Sequence, residues 1–198
     1  MVDFLIGIFL ATLIVALFTT RIYRLFLWYS VNSLALGLLA LFMGIELNDK
    51  AMLITGIATI LIKALGIPFV LKRLSEKFSS VRQINQEIKI QYVIMLIPLI
   101  LVFTFYLADP ITHTIHSHSN YIAISISALF LSLFLMIGHK NIMPRIIGFL
   151  CIENSLFLLG VTATEGMPML VELGIFFDLL MAIIVINLLF DREGVSNA

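Results

Sequence analysis

The chain has 198 residues, 61% of them hydrophobic and only 12% charged, with a mean hydropathy of +1.12 and twelve basic residues against twelve acidic ones. A domain of this size buries too little of its own surface to hide that much apolar area, so lipid must cover the remainder, and the balanced charge offers no footprint for nucleic acid. Long apolar runs without alternation exclude a transmembrane barrel and point to an all-α integral membrane protein forming one domain over 1–198.

Seven apolar runs are long enough to cross a bilayer: 3–20, 25–46, 51–72, 90–108, 121–138, 145–163 and 169–190. The first carries only Asp3 near its start and no basic segment before it, so it is expected to be a retained span and not a signal peptide. Its loop to the second run holds Arg21 and Arg24. The third loop holds Lys72, Arg73, Lys77, Arg82 and Lys89; the fifth holds Lys140 and Arg145; the tail holds Arg192. Seven spans put all of these on one side, with Lys50 alone in a loop on the other. The basic bias therefore predicts an outside N-terminus and a cytoplasmic C-terminus. Trp28, Tyr23, Tyr29 and Tyr92 fall near inner ends of spans, and Tyr106 and Tyr121 near outer ends, where amphipathic rings are expected to sit.

In the third span Gly56, Thr59, Lys63 and Gly66 are spaced to share a helix face, small residues around one charge. Pro68 removes a backbone hydrogen bond to the carbonyl of Ala64, which predicts a bend there. After it, Leu74, Phe78, Val81, Ile84 and Ile88 recur at three- and four-residue steps, the pattern of a helix lying on the cytoplasmic surface; a solvated linker is the alternative. The loop after the fourth span clusters His113, His116 and His118, at spacing too irregular for a metal site, and solvated side chains are expected. The lone Cys151 lies inside a span, so the chain offers no disulfide and no cysteine set for a redox centre of its own; no cofactor and no catalytic site are expected in it.

The last two spans carry acids where acids are unfavourable. Glu153 is in the middle of the sixth; Asp178 is near the middle of the seventh, between Gly174 and Ala182; Glu172 is nearer the start of that helix. An ionised Asp at a helix centre costs about 2.5–3.5 kcal/mol on insertion scales, so acids retained there mark proton or ion paths by default. Lys63 is the basic counterpart at similar depth. Glu153, Asp178, Lys63 and Glu172 are thus the candidate proton-transfer residues. The alternatives are a fixed ion pair of Lys63 with Glu153 or Asp178, and acids that only clasp neighbouring helices. A weak internal repeat accompanies them: Asn32-Ser33-Leu34 matches Asn154-Ser155-Leu156, and Gly56-Ile57 matches Gly174-Ile175. It pairs spans one to three (1–73) with spans five to seven (121–198) as parallel helix triplets, leaving the surface helix and fourth span (74–120) between them.

The stretches RIIGFLCIENSLF at 145–157 and GMPMLVELGIFFDLL at 166–180 resemble component E of hydrogenase-4, whose second half is similar to the small K subunit of respiratory complex I and to its counterpart in multi-component cation/proton antiporters. The match covers most of 145–191, while the first half agrees only in length and general character. The resemblance implies an accessory, non-catalytic membrane-arm subunit of a complex I-like group 4 hydrogenase or formate hydrogenlyase-type assembly in a prokaryotic cytoplasmic membrane. Its implied partners are antiporter-like membrane subunits and cytoplasmic-side hydrogenase or related redox subunits. It places Glu153 on the first acid of the family's proton path and Asp178, or alternatively Glu172, on the second. A subunit of a cation/proton antiporter and a purely structural scaffold are the competing readings.

Overall fold

The computed structural model describes residues 1–78, 90–112 and 119–164, and these residues are helical wherever they are regular. The elements are α1 (Val2–Leu17), α2 (Ile22–Glu46), α3 (Lys50–Ala58), a π-helical stretch (Thr59–Gly66), α4 (Ile67–Phe78), α5 (Ile90–Thr112), α6 (Ser119–Ile137) and α7 (Ile142–Thr164). α3, the π stretch and α4 follow one another without a break, so the described residues hold six rods. Five are long and apolar enough to span a membrane, and α1, at 16 residues, is shorter. The first six apolar runs read from the sequence thus correspond to helices, with ends shifted by a few residues. The seventh, at 169–190, lies outside the described residues, as do His113, His116 and His118.

Short polar turns set the helix ends. α2 closes at Asn48, whose φ of 54° is the left-handed conformation that asparagine tolerates. The Asn48 amide donates to Ile45 O at 3.3 Å and the Asp49 amide to Gly44 O at 3.0 Å, satisfying the carbonyls left over by the last turn. The next helix starts at once, because the Asp49 carboxylate accepts from the Ala51 amide at 2.9 Å. Two residues therefore stop one span and cap the following one.

α2 lies centrally, packed against α1, the α3–π rod and α7, while α7 packs along α6, and α5 covers the outside of α6. Glycine decides how close two of these pairs come. A Cβ on Gly37 would sit 2.5 Å from Ile60 Cγ1 and 3.1 Å from Gly56 O, and one on Gly56 would sit 3.0 Å from Gly37 O. α2 and the α3–π rod therefore touch backbone to backbone. Gly148 does the same for α7, where a Cβ would lie 2.6 Å from the Met136 backbone of α6. Hydroxyl pairs join the helices beside these contacts: Ser132 with Ser155 at 3.2 Å, Ser125 with Thr162 at 3.4 Å, and Thr104 with Ser127. At one end of the bundle the Tyr121 hydroxyl donates to Asp3 Oδ1 at 2.5 Å, which sets the N-terminal ends of α1 and α6 side by side.

Three local expectations change. Tyr29 is 1% exposed and belongs to the packed interior, not to an interfacial belt, whereas Tyr92 and Tyr106 are exposed. Residues 74–78 continue the third rod as part of α4 and do not begin a separate surface helix; 79–89 lie outside the described residues. Gly66 leaves the face of Gly56, Thr59 and Lys63: it is half-buried, and Ala64 is buried in its place. The cause is the π stretch, whose i→i+5 bonding (the Ile67 amide donates to Ile62 O) widens the turn and re-phases every side chain after Lys63.

Candidate functional site

The π stretch exists where the sequence withdraws a backbone donor. Pro68 has no N–H for the Ala64 carbonyl four residues earlier, so that carbonyl needs another partner in an apolar setting. Ser30 of α2 supplies it, its hydroxyl donating to Ala64 O. In the loosened segment Thr59, Lys63 and Ala64 point inward, while Leu61, Ile62 and Leu65 point out. Lys63 is only 2% exposed although it lies near the middle of the apolar stretch Lys50–Arg73.

Its ammonium meets α7. Nζ donates to Glu153 Oε1 at 3.1 Å and to Asn154 Oδ1 at 3.3 Å, and Glu153 is itself 6% exposed near the middle of Ile142–Ala163. Two opposite charges that would each be costly alone in a hydrocarbon setting are thus placed in contact. The partners continue inward. Asn154 Nδ2 donates to Asn32 Oδ1 at 3.1 Å and to Ser33 Oγ at 2.9 Å, both on α2. Asn32 Nδ2 then donates to Phe9 O at 2.9 Å and to Thr12 Oγ1 at 3.1 Å on α1, and Thr12 Oγ1 donates to Phe9 O at 2.8 Å.

This chain has a fixed polarity. Phe9 O is a main-chain carbonyl and only accepts, so Asn32 must turn its NH2 toward it and its oxygen toward α7. Asn154 must then turn its NH2 toward Asn32 and its own oxygen toward Lys63. An amide oxygen therefore faces the ammonium because of a carbonyl two helices away. Glu153, Asn154, Asn32, Ser33 and Thr12 are all buried, so the orientation is enforced by the cost of leaving any of these groups unsatisfied.

Of the four side chains expected to carry chemistry, the structure brings Lys63 and Glu153 into contact, while Asp178 and Glu172 lie outside the described residues. Reading charges alone misses Asn32, Asn154, Ser33, Ser30 and Thr12. The signal for the first three was present: Asn-Ser-Leu occurs once on α2 and once on α7, and the two copies meet in the centre of the bundle. Along α7 the four-residue steps Arg145, Phe149, Glu153 and Phe157 do not share one environment: Arg145 and Phe149 lie on the outside and Glu153 and Phe157 are buried, because a four-residue step advances around a helix of 3.6 residues per turn. No group of three or more potential metal ligands occurs among the described residues.

No protein-family model matches the chain. No solved structure matches it. A Mycobacterium tuberculosis (strain ATCC 25618 / H37Rv) protein described as "Uncharacterized protein Rv0085" is 27% identical over 173 residues, which is 86% of this chain and 77% of that relative. The likeness extends over the greater part of both chains and is not confined to one segment.

Proposed function

We propose that this chain is a non-catalytic subunit of a multi-pass prokaryotic cytoplasmic-membrane assembly, moving protons, or another cation, through Lys63 and Glu153 with Asp178 and Glu172 on the following span. The observation that carries the reading is the 3.1 Å contact of Lys63 with Glu153 at mid-depth of two apolar helices. Intramembrane acids paired with a base are the usual parts of proton relays. The resemblance of 145–157 and 166–180 to the hydrogenase-4 component E family makes the assembly a complex I-like group 4 hydrogenase of the formate hydrogenlyase type. Its partners are then antiporter-like membrane subunits, with redox subunits on the cytoplasmic side. Seven spans, an outside N-terminus and a parallel repeat of two helix triplets complete the proposed topology. The neighbouring N-terminal ends of α1 and α6, and the meeting of Asn32 with Asn154, support that repeat.

Inverted membrane vesicles carrying the whole assembly provide the test. Glu153→Gln should retain assembly and electron transfer but lose acidification of the lumen, read with a pH-sensitive dye. Unchanged acidification would leave the pair as a clasp between the π stretch and α7, the scaffold reading. Transport that survives with no redox partner in the purified assembly would favour the cation/proton antiporter reading instead.

A further inference from the structure

The contact between Lys63 and α7 has the form of an ion site whose occupant is covalently attached. Glu153 Oε1 and Asn154 Oδ1, from consecutive residues of one regular helix, converge on the Lys63 ammonium at 3.1 and 3.3 Å. Oxygen donors of this kind, one charged and one neutral, are what a hard monovalent cation such as Na⁺ takes up. The Asn154 oxygen is not held there by Lys63: its direction follows from the donation of Asn154 Nδ2 to Asn32 and Ser33, and from the donation of Asn32 to Phe9 O on α1. Taking the ammonium away would leave the neutral donor aimed at the same point, next to the buried carboxylate of Glu153.

We infer that the oxygens of Glu153 and Asn154 form a monovalent-cation site, that the ammonium of Lys63 permanently competes for it, and that this tethered cation keeps Na⁺ out. Three physical terms support exclusion. The side-chain tether holds the ammonium at an effective concentration in the millimolar range or above, so a free ion must compete with a resident one. Na⁺ entering beside Lys63 would also place a second positive charge close to the ammonium in a setting of low dielectric constant. The stem of Lys63 is buried as well, so an entering ion would have to shed its hydration shell. The inference rests on the proposal that the pair exchanges protons, and within it assigns the transported ion as H⁺ and not Na⁺. It also predicts that a single substitution opens the site to Na⁺.

The full chain in lipid nanodiscs is unfolded thermally at about pH 8. NaCl is compared with choline chloride at equal ionic strength. The unaltered protein should unfold at the same temperature in both. Lys63→Ala should unfold at a lower temperature in choline and regain about 3–6 °C once Na⁺ exceeds its dissociation constant about tenfold. That gain should vanish when Glu153→Gln is added and shrink when Asn154→Leu is added. A Na⁺ response equal in all variants, or none in Lys63→Ala, overturns the inference. Lys63→Met, which keeps the stem volume, serves if Lys63→Ala does not fold. Should neither fold, Na⁺-minus-choline infrared difference spectra of the unaltered protein decide: no change in the carboxylate bands supports exclusion, and a Na⁺-induced carboxylate shift overturns it. Because these measurements read cation binding by the chain alone, they can fail while proton transport by the assembly is upheld, and the reverse.

Discussion

Two helix junctions flank the central polar chain, and they differ in one respect that matters. α6 and α7 meet at Gly148, with backbone against backbone and Ser132 bonded to Ser155, and both helices remain regular. α2 and the third rod meet just as closely at Gly37 and Gly56, yet the third rod gives up α geometry over Thr59–Gly66. The difference is local. Pro68 takes a donor out of the third rod, and Ser30 of α2 satisfies the carbonyl left behind. Close packing alone is therefore not what loosens a helix here, and a missing N–H alone is not either, since α5 stays regular across Pro98; in the third rod the freed carbonyl has Ser30 beside it as a partner. The regular junction presents Glu153 and Asn154 on a fixed frame, and the irregular one presents Lys63 on a segment whose hydrogen bonding has an alternative pattern within reach. One side of the ion pair is held and the other is adjustable.

The largest expected effect comes from removing one member of the ion pair and keeping the other. Glu153→Leu or Lys63→Met should each cost about 3–5 kcal/mol, since the surviving member of the pair loses its opposite charge in the interior. The double variant Lys63→Met/Glu153→Leu should lose much less than the sum. Thermal unfolding of all four proteins in the same detergent, without added Na⁺, measures the coupling; additive losses would mean that the two side chains do not depend on one another.

Next in size is a direct blow to the regular junction. Gly148→Ala places a methyl 2.6 Å from the Met136 backbone, which cannot move aside as a flexible side chain could, and should cost about 1–3 kcal/mol. Gly7→Ala is the internal control: nothing lies within 4 Å of its Cβ position, so replacement should be neutral or stabilising by up to about 1 kcal/mol through helix propensity. Equal losses at both positions would dissolve the contrast drawn for α7.

The irregular junction is sharpened by a cycle of smaller substitutions. Ser30→Ala removes the partner of Ala64 O and should cost about 1–3 kcal/mol, the penalty for an unsatisfied buried acceptor. In a Pro68→Ala background the backbone N–H is available again, so the same Ser30→Ala change should cost distinctly less. Equal costs in the two backgrounds would show that Ser30 does not compensate for the proline.

Much of this was legible in the sequence for a physical reason: apolar runs near twenty residues leave few choices in lipid, and Pro68 announces which carbonyl loses its bond. Lys63 and Glu153 stood out because a charge in such a run is costly. The π stretch was not legible, because the donor that makes it tolerable, Ser30, lies 34 residues from Ala64. Pairing across that distance leaves no trace in local periodicity. The amide chain was missed for a related reason. Asn32 and Asn154 are neutral, and only their duplication in Asn-Ser-Leu hinted that they meet. Tyr29 was assigned to an interface by its polar tip, whereas its ring has gone to the bundle core.

The smallest effect concerns the turn between α6 and α7, outside the spans, and asks how far the regular junction's rigidity extends. His139 is buried there, and its Nδ1 donates to Leu135 O at 2.9 Å, so the proton of the neutral ring sits on Nδ1. Nε2 has no hydrogen-bond partner among the described residues. Protonation would create a buried N–H without an acceptor, and burial accordingly holds the ring below its ordinary 6.5, only partly opposed by the Leu135 bond. A histidine that resists protonation when folded binds fewer protons than it does unfolded. The protein should therefore keep its full stability above about pH 6.5 and lose some as the pH falls below it, down to the lowered value of the folded ring. The Arg145 guanidinium, whose Nε donates to His139 O at 2.9 Å, adds a positive charge to the same turn and offers a second histidine proton no relief. His139→Gln should flatten the stability profile between pH 7 and the onset of acid unfolding without changing the midpoint at pH 8 by more than a degree or so. An acid-side slope that survives the substitution would assign the loss to carboxylates elsewhere and detach the turn from the rigid frame that carries Glu153.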